Sequence, residues 1–472
     1  MRKKKAEPLA EPVLIDDQDL PDGWTKKTLL EVAGGEPRLV VGGPFGSCLK
    51  VDDYQKSGIP IIRLQNVGHA KFIDKDIKYL TLEKAKELEY HTFVKGDLVL
   101  AKLGDPIGKT CIIPDKFEWG IVVSDVVRIR IENDQIDKKY LLYYLNSSHS
   151  INQISSQVFG STRPRVNLKE VRDIVIMVPP LAEQQRIVSR VEALLSQVDA
   201  ARDRLNRVPL IMKKFRQAVL AAACEGRLTE GWRGENPDVE SGSQLLERIA
   251  GKNSHSIVPS DDDPPVLLPE IPESWEWSRC LLLSDPNRDI TYGVIKLGIP
   301  TKSGIPTLRS SDVRWLHIDN SDVKTINPDI ASQYSRTFLK GGEIVITVRG
   351  SLGGIAVVPQ SMAGYNISRE VAVLPLLSDL DAKYFSYAIA SIWSQNWLSE
   401  VTKGVAYTGI NIRDLKRLPL PLPPLPEQHE IVRRVGLLFE HADAIDREVA
   451  AAGRRCERMT QAVLAKAFSG RL

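Results

Sequence analysis

From Ile187 onward, apolar or small residues recur at alternating steps of four and three: Ile187, Val191, Leu194, Val198, Ala201, Leu205, Val208, Met212, Phe215, Val219, Ala222. This is the a/d seam of a coiled-coil helix. The seam returns at Ile431, Val435, Leu438, Ala442, Ile445, Val449, Ala452, Cys456, Met459 and Val463. Two matched seams in one chain can pair with each other. The pattern predicts two long helices, within 179–228 and 423–472. Pro179-Pro180 and Pro423-Pro424 introduce them, and Glu183 and Glu427 sit in the first turns, where the helix dipole favours a carboxylate. Pro209 and Gly453 fall at the same place in the two seams and predict a kink in the first helix and a break in the second. Residues 182–225, at 1.5 Å rise each, span on the order of 65 Å.

The chain is also written twice. VPPLAEQQRIVSRV at 178–191 returns as LPPLPEQHEIVRRV at 422–435, and FRQAVLAAACEGRL at 215–228 returns as MTQAVLAKAFSGRL at 459–472. Each pair shares nine of fourteen positions. Weaker echoes run upstream: PDGW at 21 and PESW at 272, SGIPIIR at 57 and SGIPTLR at 303, DKKYLLYY at 137 and DAKYFSYA at 381. The repeat unit is thus about half the chain, with a divergent front and a similar helical back, and a repeat determines architecture before any local reading does.

The fronts, 21–178 and 271–422, alternate short β-rich runs (GDLVLA, IVVSDVVRIRI, GEIVITV, VAVLPL) with Gly- and Asp-rich turns and helical stretches such as KKYLLYYLNS and AKYFSYAIAS. The expected fold class is α/β, in the α+β sense: two globular domains and two long helices related by an internal pseudo-two-fold repeat. Residues 1–20 are expected as a flexible tail. Residues 229–270, which carry the acidic, Pro-rich GENPDVESGS and SDDDPPVLLPE, are expected as a linker with one short helix at QLLERIA.

Composition narrows the functional classes. Lys plus Arg exceed Asp plus Glu by 63 to 60, so net charge alone does not argue for nucleic acid. No apolar run approaches a membrane span, and the basic MRKKK start has no apolar stretch behind it, so a cytoplasmic protein is expected. The five cysteines are scattered, without a CxxC pair, which argues against a zinc site and a disulfide framework. Catalytic motifs fail on spacing. GDPIGKT at 104–110 has one residue too few between its glycines for a phosphate-binding loop, and GSLGGIA at 350–356 lacks the Lys-Thr. Asp263-Pro264-Pro265-Val266 lacks the aromatic of an adenine-methyltransferase motif, and no Gly-rich S-adenosylmethionine loop stands out. No catalytic residue and no metal ligand set is assigned.

The polar residues that could read DNA lie near the loops of the fronts. Arg63, Gln65 and Asn66 follow a short strand, as do Arg309 and Ser310 in the second copy; such side chains can reach guanine or adenine edges. Lys50, Lys102, Arg349 and Lys403 are candidate phosphate contacts, and Arg163, Arg165 and Tyr407 lie in the loops FGSTRPRVN and KGVAYTGIN. For each, an ordinary solvated role is the competing reading. Between 186 and 233 the helical segment carries ten Lys/Arg against five Asp/Glu, a basic flank that solubility explains nearly as well as DNA.

The helical motifs PPLAEQQRIVSRVEALLSQVDA and FRQAVLAAACEGRLTEGW, with their partners PPLPEQHEIVRRV and QAVLAKAFSGRL, resemble the specificity subunits of Type I restriction-modification enzymes. SGIPIIRLQNV and FVKGDLVLAKLG are similar to parts of a target-recognition domain. The resemblance implies two target-recognition domains, each followed by a long helix, with the helices packed as an antiparallel coiled coil. It implies a non-catalytic subunit that reads a split, asymmetric double-stranded DNA target. Two methyltransferase subunits using S-adenosylmethionine, and two motor-nuclease subunits using ATP and Mg, would carry the chemistry. The competing reading is a free-standing DNA-binding or scaffold protein of another phage-defence system built from the same modules.

Overall fold

The computed structural model describes residues 20–44, 48–104, 106–156, 165–251, 266–299, 301, 303–402 and 409–469. The chain divides into two compact units, one of residues 1–206 and 450–472, the other of 207–449.

In the first unit, Val40–Gly42, Val126–Ile129, Leu98–Ala101 and Thr110–Ile112 form one four-stranded sheet, in that order. Lys78–Leu80, Ile59–Ile62, Trp119–Val122 and Thr92–Val94 form another, with Ile59–Ile62 parallel to Trp119–Val122. The second unit repeats the plan. Thr291–Tyr292, Val371–Leu374, Ile344–Thr347 and Ile355–Val357 make its four-stranded sheet, and Lys324–Ile326, Ile305–Leu308 and Asn366–Ile367 a three-stranded one, again with a parallel pair. The central strands LVLA, VVRI, IVIT and VAVL are buried on both faces, which is why they read as continuous apolar runs rather than alternating ones.

Equivalent side chains tie each domain to its long helix. Asp137 and Asp381 cap the helices Lys138–Leu145 and Ala382–Ala390 by accepting from the second and third backbone N–H groups. Tyr140 and Tyr384, three residues after the capping aspartates, donate their buried hydroxyls to the carbonyls of Met177 and Pro421. Gln184 donates to the carbonyl of Pro179 and accepts from the Asp137 N–H; Gln428 does the same with Pro423 and Asp381. These polar groups are buried, so each needs its partner, and a matched set in both units specifies the same docking twice.

The long helices run Leu181–Cys224 and Leu425–Ala467. In the first unit, Ile187 and Val191 share a core with Leu464, Ala467 and Phe468; in the second, Ile431 and Val435 share one with Val219, Leu220, Ala223 and Cys224. The start of each helix thus meets the end of the other, and they pair antiparallel. Arg216 adds an ion pair to Asp446 at 2.8 Å. Among the described residues no helix is long and apolar enough to cross a membrane.

Three expectations need correction. The second helix is not broken at Gly453; the first is assigned as one helix with Pro209 inside it. Pro209 is exposed, so water can satisfy the Leu205 carbonyl that loses its N–H partner; Gly453 costs the helix only backbone entropy. The heptad seam also drifts. Ile187, Val191, Val198, Ile431 and Val435 are buried and Leu194, Leu205, Met212, Leu438, Val449 and Val463 half-buried, but Phe215, Ile445 and Met459 are exposed, while Leu220 and Leu464 are fully buried one position beyond Val219 and Val463. An α-helix turns by 3.6 rather than 3.5 residues, so a strict heptad rotates off the contact face by about 20° per repeat. Lastly, 229–250 is no free linker. Residues 230–235 and 242–250 are helical, and Thr229, Leu245 and Ile249 are fully buried in the second unit.

Candidate nucleic-acid interface

In the first unit three segments converge beyond the ends of the central strands. The Lys102 N–H donates to the Asp125 carbonyl at 2.8 Å, the Val166 N–H to the Lys102 carbonyl at 3.1 Å, and Leu103 bridges Arg165. The Asp125 carboxylate then accepts from the Arg165 guanidinium at 2.7 Å. Lys102 reaches over the backbone of Gly42: a Cβ there would lie 3.4 Å from Nζ. Partial burial, reinforced by Arg165, lowers the Lys102 pKa, so the ammonium is short of solvation that a phosphate or base acceptor could restore.

The second unit builds the same junction from different side chains. The Val348 N–H donates to the Glu370 carbonyl, the Ile410 N–H to the Val348 carbonyl, and Arg349 bridges Gly409. Val348 stands in the register position of Lys102 but is buried, and the cation comes one residue later, at Arg349. Arg349 is exposed and stacks on Tyr292, its Cζ 5.7 Å from the ring centroid. Tyr292 pairs with Ala372 as Gly42 pairs with Val127, so a ring in one unit faces bare backbone in the other. Glu370 accepts from the Ser310 hydroxyl at 2.6 Å. The following glycines are obligatory: a Cβ on Gly43 would lie 2.1 Å from the Val123 carbonyl, and one on Gly293 1.8 Å from that of Ile367.

The remaining candidates separate clearly. Arg63 and Arg309 occupy one position of the repeat and do one job. Arg63 donates to the Asp76 carbonyl and, at 2.9 Å, to its carboxylate; Arg309 donates to the Asp322 carbonyl and forks onto Asp312. Gln65 donates to Asp76 as well, and hydrogen bonds from Lys78 and Arg63 pull the Asp76 carboxyl down to about 2. Both arginines are committed to an aspartate carbonyl and a carboxylate of their own unit, which is the work of a scaffold. Asn66 is corrected outright: it is fully buried, with its amide donated to the carbonyls of Ile73 and Lys75. Ser310 is likewise 9% exposed and turned toward Glu370. Lys50 is exposed on a turn whose N–H is capped by Asp53. Arg163, Lys403 and Tyr407 lie outside the described residues.

The junctions therefore bring together Lys102 with Arg165 in one unit, and Arg349 with Ser310 in the other. Sequence reasoning missed Asp125, Glu370 and Tyr292. The first two were within reach, because Asp125 precedes VVRI as Glu370 precedes VAVL, and extending the repeat over those strands pairs them. Among the described residues no group of His, Cys, Asp or Glu side chains is placed to hold a metal ion.

Comparison with known proteins supplies the remaining context. The family model for the Type I restriction modification DNA specificity domain matches residues 46–210 and 294–447. The Type I restriction enzyme EcoBI specificity subunit of Escherichia coli is 30% identical over 89% of this chain and 81% of its own. The EcoKI specificity subunit of E. coli strain K12 is 29% identical over 96% of this chain and 90% of its own. A chain solved in work on complex assembly and conformational transition of the type I R-M system superposes with a TM-score of 0.58 over 96% of this chain and 99% of its own, at 20% identity, a likeness of fold.

Proposed function

This chain belongs to the family of Type I restriction-modification DNA specificity proteins, and on that premise we propose that its two domains each read one half of a bipartite, asymmetric DNA target. The observation that carries this reading is the pair of equivalent junctions. One backbone frame is built twice and furnished differently, with Lys102, Asp125 and Arg165 over Gly42 in one unit and Arg349, Glu370 and Ser310 beside Tyr292 in the other. Two readers of one sequence would need the same side chains; two readers of different sequences need this arrangement.

As a specificity subunit the chain is non-catalytic and works with modification and restriction subunits on DNA. We extend this to two methyltransferase and two motor-nuclease subunits, with S-adenosylmethionine, ATP and Mg held by those partners. Lys102 and Arg349 would meet phosphates or guanine edges, and Asp125 and Glu370 would orient neighbouring donors or accept from a cytosine amino group. The near-neutral balance of 63 cations to 60 anions fits a reader that shares phosphate neutralisation with its partners. The antiparallel helices would set the unread spacer.

The test is co-expression with the neighbouring methyltransferase gene, followed by mapping of modified adenines. The expected result is a two-part motif with a fixed gap. A continuous or palindromic motif would refute two different readers. No methylation at all would favour a scaffold built from the same modules.

A further inference from the structure

Asp97 and Glu343 each stand directly before a central strand, Leu98–Ala101 or Ile344–Thr347, and both are buried. Each carboxylate accepts from the backbone N–H three residues before it, that of Val94 or Lys340. In the first unit a guanidinium fork closes the acid: Arg130 donates its Nε to one oxygen at 3.2 Å and its Nη2 to the other at 2.8 Å. In the second unit Pro375 stands at the register of Arg130, and the cation comes from the turn before Thr291–Tyr292 instead. Arg288 donates to Glu343 through Nη1 at 2.7 Å and to the Phe338 carbonyl through Nη2 at 3.2 Å.

Arg288 repeats Arg38: each lies three residues ahead of an equivalent strand position, Thr291 or Val41. Arg38 is spent on carboxylates, forking onto Glu132 at 3.0 and 3.1 Å and reaching Glu36 with its Nε. The second unit has Pro286 at the position of Glu36 and Leu377 at that of Glu132. At this place it has a cavity of about 290 Å³, lined by Arg288, Asp289, Arg336 and Lys340, with the Ser335 hydroxyl alongside and Pro286 and Phe338 as an apolar wall. Its cations outnumber their partners. The Arg336 side chain is 85% exposed and reaches Asp289 only at 3.7 Å. Among the described residues the Lys340 ammonium has no hydrogen bond or ion pair, and the Nε of Arg288 has no hydrogen bond. Glu343 is engaged by Arg288, and Asp285 by the N–H and amide of Asn287, so Asp289 alone is left to balance Arg336 and Lys340. Thr291–Tyr292 and Ile344–Thr347 both pair antiparallel with Val371–Leu374 and so run the same way; the pocket lies where they begin, and Tyr292 and Arg349 lie where they end.

We propose that this pocket is a phosphate site, separate from the junction of Arg349 and Tyr292. A carboxylate offers two oxygens, which one guanidinium fork satisfies, as Arg38 and Arg130 show in the first unit. A phosphate group offers three oxygens and more charge, and meets the Nε of Arg288, the ends of Arg336 and Lys340 and the hydroxyl of Ser335. The wall of Pro286 and Phe338 suits the carbon-bearing part of an organic phosphate such as a nucleotide. A free nucleotide and a nucleic-acid strand both carry this group, and they are told apart by what protects Lys340.

Calorimetric titration of the full-length chain with inorganic pyrophosphate, at fixed ionic strength, should show saturable binding. Arg336→Gln/Lys340→Gln should weaken it about tenfold or more, while Arg349→Ala, at the junction, should not. Both substituted side chains are exposed, and thermal melts check that the variant is folded. Absence of saturable binding overturns the proposal, as does binding that Arg349→Ala weakens as much as the pocket variant does. Acetylation of Lys340, read by mass spectrometry, then identifies the source of the phosphate. Protection by adenosine monophosphate and not by a DNA duplex assigns the site to free nucleotides, protection by the duplex assigns it to a strand, and protection by neither overturns it. The titration contains no DNA, so its failure leaves the proposed reading of DNA standing, and a failed methylation map leaves the phosphate site standing.

Discussion

Arg349 has what the proposed reading of DNA asks of a side chain: exposure, a stacking partner in Tyr292, and no carboxylate committed to it among the described residues. Arg349→Ala should weaken binding by about 1–3 kcal/mol and relax methylation specificity in one half of the motif only; equal loss in both halves would make it a non-specific phosphate contact. Arg63 and Asn66 looked equally suitable in the sequence, since residue type was all there was to judge by. Their partners Asp76, Ile73 and Lys75 arrive from later in the chain and turn them inward. Two histidines carry a pH prediction. His69 lies 3.0 Å from Gln461, and His149 beside the Ala465 backbone, both in the first unit. Burial lowers both pKa values, with Lys109 and Arg202 adding to the effect on His69. The unfolded chain therefore binds these protons more readily than the folded one. Their contribution to stability is whole above the unfolded value of about 6.5 and is lost as the pH falls through the lower folded values. Thermal midpoints should drop on going from about pH 7.5 to 5.5, and less so in a His69→Gln/His149→Gln variant; identical slopes would remove the histidines from the account.

At the scale of elements, the long helices were legible because a seam repeats locally and needs no distant information, whereas their continuity was not. Gly453 lies in an unbroken helix with nothing within 4 Å of where its Cβ would be. Gly453→Ala should accordingly raise stability by about 1 kcal/mol in thermal or urea unfolding; a loss would mean that the position needs glycine. The two helix starts should respond unequally to truncation. Glu427→Ala leaves the half-buried Arg233 and the buried Trp275 without their acceptor and should cost about 3–5 kcal/mol. Glu183→Ala breaks only a solvent-exposed pair and should cost less than about 1 kcal/mol. Unfolding of the purified variants checks both, and similar losses would mean that Glu183 is as enclosed as Glu427. Residues 229–250 read as linker because their acidic, Pro-rich stretches outweigh QLLERIA by composition. Only the fold supplies Glu427 and Trp275 for Arg233 to meet.

For the whole molecule, duplication is the organising fact, and under the proposed function it would make helix length a ruler. Four residues inserted at matched places in the two long helices, about 6 Å of added helix, should lengthen the unread spacer by roughly one to two base pairs. Methylation-site sequencing of the variant complex checks this, and an unchanged gap would mean that the helices do not set it. The sequence by itself determined the two-unit plan, the pairing helices and the family. These rest on periodicity and on motifs that recur 244 residues apart, at 178 and 422, and local chemistry suffices for both. Tertiary structure alone decided which polar side chains remain free and which lock loops. It also decided that Val348 rather than a cation fills the register position of Lys102, and that one copy of a shared carboxylate is enclosed while the other is open. The physical reason is the same in each case. Burial and hydrogen bonding are set by the partners that folding brings to a side chain, and a residue's type does not say which partner will arrive.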